Sequence, residues 1–163
     1  MKKPVLNNKY NSLGNDTRYF VITGGRGSGK SFAITTFLAF LTFEQGHKIL
    51  FTRYTMISAA NSIIPEFLEK LELYGIMEHF RITKDEILNI STGSSILFKG
   101  IRTSAGNQTA ALKSISGITT WVLDEAEELI KEEDFDKIDQ SVRSKAKPNR
   151  VIMVLNPATK EHW

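Results

Sequence analysis

The chain of 163 residues contains no cysteine, which excludes disulfides and thiolate metal sites. Its three histidines, at positions 47, 79 and 162, argue against a zinc site built from imidazoles. No apolar run reaches the length of a membrane span. The opening Met-Lys-Lys-Pro-Val-Leu-Asn-Asn lacks the apolar stretch of a secretory signal, so an intracellular protein is expected. What is present is an ordinary balance of 41% hydrophobic and 24% charged residues, which excludes a wholly disordered chain. The length suits one core.

The net charge of +3 is unevenly spread. Residues 124–139 hold nine of the eighteen acids and only Lys131 and Lys137 as bases, so the remainder carries +10. Such a surface suits a polyanionic partner, although lysines that merely keep a protein soluble would look the same.

Buried-strand patterns occur at Arg18–Thr23, Lys48–Arg53, Ile118–Leu123 and Arg150–Leu155. Between them, Ile34, Phe37, Leu38 and Leu41 follow helical spacing, with Gly46 as a stop. Ile57, Ile64, Phe67, Leu68 and Leu71 form a second stripe in which Pro65 predicts a kink or a fresh start. Phe135, Ile138 and Val142 mark a third. Glu86–Ser91 and Ser95–Lys99 read as a hairpin around Thr92-Gly93-Ser94. Lys99–Ser116, rich in small polar residues, reads as a mobile loop with one helical turn. Strands alternating with helices predict one α/β domain, with a mostly parallel sheet covered on both faces.

Gly24-Gly25-Arg26-Gly27-Ser28-Gly29-Lys30-Ser31 satisfies G-x-x-x-x-G-K-[ST] between a predicted strand and a predicted helix. Glycines let consecutive N–H groups curl around phosphate oxygens, and the helix N-terminus adds partial positive charge. In this reading Lys30 reaches the β- and γ-phosphates and the Ser31 hydroxyl binds Mg²⁺. A plain turn needs one or two glycines, whereas four within six residues are entropically costly. The fold expected is therefore a P-loop NTPase.

Thr120-Trp121-Val122-Leu123-Asp124-Glu125 is a buried strand ending in two acids, the Walker B pattern. Strand C-termini line the ligand crevice of a parallel sheet, so Asp124 is expected to hold Mg²⁺ and Glu125 to act as general base on the attacking water. The competing reading makes both the acidic start of a helix, with Glu127, Glu128, Glu132 and Glu133. A carboxylate directly after the Walker B Asp, and no Asn-Lys-x-Asp sequence, favour ATP over GTP. Asn156, at the tip of the last strand, is a candidate sensor of the γ-phosphate or simply half of an Asn-Pro turn.

The strand and phosphate loop at 18–31, Lys113-Ser-Ile-Ser-Gly117, Trp121-Val-Leu-Asp-Glu-Ala-Glu-Glu128, and Leu155-Asn156-Pro157 with His162-Trp163 together resemble the large terminase subunit of tailed bacteriophages. The order is the same along nearly the whole chain. That resemblance implies an ASCE, RecA-like ATPase driving double-stranded DNA into a preformed capsid. It implies a homo-oligomer working with a portal protein and a small terminase subunit in the host cytoplasm. It implies Glu125 as the catalytic carboxylate, Arg26 as the basic residue near the γ-phosphate and Asn156 in the coupling motif. Tyr10 and Asn11 match, loosely, the segment that contacts adenine. The role of a trans-acting arginine stays open among Lys113, Arg102, Arg53 and Arg143. Lys99, Arg102, Lys113, Arg143, Lys145, Lys147 and Arg150 are candidate DNA contacts. The chain stops at Trp163 with no second acidic cluster, so the family's nuclease activity is not expected of it. Competing readings are a helicase-like nucleic-acid-dependent ATPase and a nucleotide-binding assembly module with little turnover.

Overall fold

The computed structural model describes residues 5–55, 61, 63–103, 106–107 and 109–156. Its frame is a sheet built from β1 (Tyr19–Thr23), β2 (Lys48–Thr55), β3 (Phe80–Ile82), β4 (Glu86–Asn89), β5 (Ser95–Thr103), β6 (Gly106–Asn107), β7 (Thr120–Asp124) and β8 (Arg150–Leu155). The spatial order is β1-β8-β7-β2-β5-β4-β3, with β6 paired to β5. The first five strands run parallel, and β5, β4 and β3 are antiparallel. One strand, β8, therefore separates the strand before the phosphate loop from the strand ending in Asp124. This order brings the C-terminal ends of β1, β8, β7 and β2 to one edge, where a parallel sheet places its ligand crevice.

Helices α1 (Lys30–Leu41), α2 (Ile64–Tyr74), α3 (Thr109–Lys113) and α4 (Glu132–Asp139) complete the layers. Residues of α1 and α2 join one face of the sheet in a core centred on Phe51, Phe67 and Phe98, whose ring centroids lie 5.4–5.9 Å apart. The opposite core joins α3 and α4 to Leu50, Trp121, Leu123 and Val151. The all-buried pattern of β7 is what a strand covered on both faces requires. No helix of the described residues is long and apolar enough to cross a membrane.

Trp121 is fully buried, stacks 5.0 Å from Phe135 and donates its indole N–H to Thr52 Oγ1 at 2.8 Å. Trp121→Ala is expected to lower unfolding stability by about 3–5 kcal/mol, because it opens a large void. Trp121→Phe keeps most of the volume and is expected to cost less. Urea unfolding followed by circular dichroism measures both.

Some boundaries follow the sequence reading and others differ. Pro65 sits in the first turn of α2 and marks its start, one of the two outcomes expected of it, and the missing N–H costs nothing there. Ile57 lies outside the described residues, as do Pro157, His162 and Trp163. The expected loop over 99–116 is replaced in part by strand, since β5 continues to Thr103 and β6 pairs back on it, while the one helical turn expected there is α3. The cause is non-local. Lys99, Gly100 and Arg102 find ladder partners in Thr52, Arg53 and Thr55 of β2, and Ile101 is buried against the second core. α4 ends at Asp139, and Val142 is buried beyond it. The 3-10 segment Asn8–Gly14, not anticipated, tucks Tyr10 and Leu13 beneath the first core.

Candidate functional site

The turn from β1 into α1 sets the first wall of the site. Gly29 precedes α1 in the left-handed region (φ 80°), and no side chain caps the helix. Its first turn therefore faces outward with N–H groups and partial positive charge. A Cβ at Gly24 would stand 2.8 Å from Ser28 Oγ, so the loop closes this tightly only with glycine there. Lys30 is buried, and its ammonium, with three N–H donors, has four oxygens within reach: Gly24 O, Gly25 O at 3.1 Å, Asn156 Oδ1 at 3.2 Å and Ser28 Oγ at 3.4 Å.

The second wall comes from β7. Asp124 is buried at the strand's end, and Glu125, half-buried, follows in the left-handed region (φ 54°, ψ 48°). Among the described residues it is the only non-glycine with positive φ. Such strain persists where surroundings over-determine it and concentrates at functional sites. Asn156 closes the wall at the tip of β8.

These parts line a cavity of about 370 Å³ bounded by Arg26 to Phe32, Arg53, Glu66, Asp124, Glu125 and Val154 to Asn156. The strand order thus brings Arg26, Gly27, Ser28, Gly29, Lys30, Ser31, Asp124, Glu125 and Asn156 together, and Gly24 and Gly25 contribute carbonyls to Lys30. Tyr10 is the exception. It is buried beside the loop, donates its hydroxyl to Ser28 O at 3.3 Å, and lines a separate cavity along β1. It braces the phosphate loop from outside the cavity.

Arg53 is one of the four bases among which the sequence leaves the trans-acting role open. Its Nε lies 2.6 Å from Asp124 Oδ2 and its guanidinium 3.6 Å from Glu125 Oε1, so it serves its own chain's acids. The reason is strand order, since β2 lies directly beside β7. Burial pushes the Asp124 carboxyl above the ordinary range while Arg53 pulls it down, and the same opposition acts on Glu125. Burial also raises Glu66, in the first turn of α2. Sequence reading missed Glu66, Phe32 and Glu127. Only Arg53 carried a signal, as a base closing a buried strand.

The other candidate bases divide. Arg102, Lys113, Arg143 and Lys145 are exposed, and Arg102 donates to Tyr54 Oη at 3.0 Å. Lys99 pairs with Asp85 at 2.9 Å and Lys147 lies 3.7 Å from Glu44. Arg150, expected as a DNA contact, is instead buried at the N-terminal end of β8, away from the cavity, and does not face a DNA backbone.

The sequence pattern of the phage terminase large subunit matches residues 16–163. The chain belongs to that family. Among curated protein sequences none matches it. In fold, this terminase chain is similar to the large terminase of a thermophilic bacteriophage, with TM-score 0.69 and 16% identity over 91% of this chain and 36% of that one. A complex of that same protein with ATP-γ-S gives 0.67 and 13% over 91% and 35%. The HK97 bacteriophage large terminase gives 0.66 and 15%, covering 85% of this chain and 29% of its own. The ATPase domain of the Thermus phage P74-26 large terminase gives 0.62 and 17%, covering 86% and 60%. The chain thus spans about a third of the first of these relatives. The fold is the P-loop ASCE fold of terminase ATPase domains, a mostly parallel sheet with helices on both faces.

Proposed function

We propose that this terminase chain hydrolyses ATP with Mg²⁺ and that turnover drives double-stranded DNA into a capsid. The observation that carries the reading is the pairing of two features across one cavity. A glycine cradle with a buried lysine faces a carboxylate pair whose second member is held in strained backbone. One thermophilic-phage relative was solved with ATP-γ-S, and the P74-26 relative is an ATPase domain.

The residues present fit a nucleotide and its metal, because the loop, held in left-handed backbone at Gly27 and Gly29, brings the Lys30 ammonium to one wall of the cavity while the facing wall offers carboxylate oxygens. A magnesium ion held between Ser31 and Asp124 would neutralise phosphate charge. Lys30 binds the β- and γ-phosphates and gives them a buried point charge. Glu125 accepts a proton from water aligned with the γ-phosphate. Arg53 holds the two acids in register, and Arg26, exposed on the loop, is placed to offset charge as the phosphoryl group leaves. Asn156 links Lys30 to β8 and so to the segment beyond it. The exposed bases Arg102, Lys113, Arg143 and Lys145 grip the DNA backbone without reading sequence. The motor is a homo-oligomer that works with portal protein and a small terminase subunit in the host cytoplasm.

The test is steady-state ATP hydrolysis by the chain across protein concentrations, with and without duplex DNA, with Lys30→Ala as the blank. Expected are Mg²⁺-dependent turnover rising faster than linearly with protein, and DNA binding that weakens steeply with salt. ATP binding without turnover at any concentration of protein or DNA would sink the motor and leave the assembly module.

A further inference from the structure

Glu127 lies in the 3-10 turn Ala126–Glu128, directly after the left-handed Glu125 has turned the chain out of β7. Its carboxylate reaches to the tip of β8 and takes Asn156 with both oxygens. Oε1 accepts the side-chain N–H of Asn156 at 2.8 Å, and Oε2 accepts its backbone N–H at 3.3 Å. An ionised carboxylate only accepts, so the amide nitrogen must face Glu127. That leaves the amide oxygen turned the other way, 3.2 Å from the Lys30 ammonium. One acid thus fixes rotamer and flip of an otherwise exposed amide, and joins the β7 turn, the β8 tip and the phosphate-loop lysine in a single hydrogen-bonded chain.

We propose that Glu127 is a positioning residue whose bidentate grip on Asn156 presents the amide oxygen to Lys30 in competition with the phosphate of the substrate. The inference rests on the ATP reading of the site. A phosphate oxygen entering the cavity competes with the amide oxygen for the same ammonium. While Glu127 holds, a change in what Lys30 binds is transmitted to the end of β8. Without it, Asn156 rotates freely and Lys30 takes phosphate with no consequence for β8. The grip therefore costs some ATP affinity and gains turnover.

The experiment compares Glu127→Ala, Glu127→Gln, Asn156→Ala and the Glu127→Ala/Asn156→Ala double variant in the same chain. In ¹H–¹⁵N spectra without added nucleotide, the Asn156 side-chain amide is the signal that Asn156→Ala removes. It is expected to shift in Glu127→Gln and to move to the position of a solvated amide in Glu127→Ala. With ATP, Glu127→Ala is expected to hold its calorimetric Kd within about twofold or tighten it, while kcat falls about tenfold or more. Glu127→Gln, which keeps one acceptor oxygen, falls in between. The double variant is expected to be no slower than Asn156→Ala, since the two act as one unit. An Asn156 amide unmoved by Glu127→Ala, losses that add in the double variant, or a Kd that weakens in step with kcat would each overturn the proposal. If the wild-type chain binds no ATP, the ATP reading fails, and the amide signal alone decides whether the grip exists. If it turns ATP over and Glu127→Ala does not slow it, the ATP reading stands and the positioning role falls.

Discussion

Glu125→Gln is expected to cut ATP turnover by about 10²- to 10⁴-fold, the range for losing a general base, while nucleotide still binds. The side chain stands half-buried in the cavity wall, and glutamine keeps its size but cannot take a proton. The phosphate cradle and Lys30 are untouched, so calorimetry is expected to give an ATP Kd within about threefold of wild type. Lys30→Ala is the contrast, because it removes the cation proposed to meet the phosphates and is expected to lose binding itself. Glu125→Gly adds a second reading of the same residue. It relieves a left-handed conformation that costs a side-chain-bearing residue about 1–2 kcal/mol. Glycine also gains freedom in the unfolded chain, so the net gain in stability is expected to be small, with activity lost as in Glu125→Gln. A Glu125→Gln variant that turns over ATP at the wild-type rate would remove Glu125 from the chemistry.

What the sequence shows and hides follows from the range of the interactions. The phosphate loop is legible because its glycines, lysine and serine are neighbours in the chain, and local backbone demands dictate each of them. Asp124 and Glu125 are legible because a run of buried residues ending in acids puts them at a strand tip, wherever that strand lies. Arg53 is legible only as a base at the end of a strand. That it serves its own Asp124 depends on β2 lying beside β7, and strand order is decided by packing across the whole sheet. Glu127 looks like one more acid in an acidic run. Its role depends on the left-handed turn at Glu125 and on β8 returning beside β7, neither of which has a local signature. The same holds for β5, whose last four residues read as loop until β2 and β6 supply partners.

Arg53→Ala is expected to damage both stability and activity, and to do so more as pH rises. The Arg53 and Asp124 side chains are only 13% and 8% exposed, so removing the guanidinium leaves a buried carboxylate without its counter-charge. Breaking such a pair costs about 3–5 kcal/mol when the remaining charge stays ionised. Asp124 has an escape, which is to take up a proton. Burial already lifts its carboxyl above the ordinary aspartate range, and Arg53 is what pulls against that lift. Without Arg53 the folded-state pKa rises further above the unfolded value. A carboxyl raised in this way contributes stability that is fully present below the unfolded pKa and is lost as pH rises through the folded one. The urea midpoint of the metal-free variant is therefore expected to approach wild type in acid and to fall behind progressively towards neutrality. Glu125 is lifted by burial and lowered by Arg53 in the same sense. The acid limb of kcat/KM, which reports the ionisation of the base, should then move to higher pH in Arg53→Ala. Arg53→Lys is not expected to rescue either effect, because one ammonium cannot replace a fork that reaches Asp124 through Nε and Glu125 through a terminal nitrogen. A stability gap that stays constant from acid to neutral pH would show that Arg53 acts by packing alone.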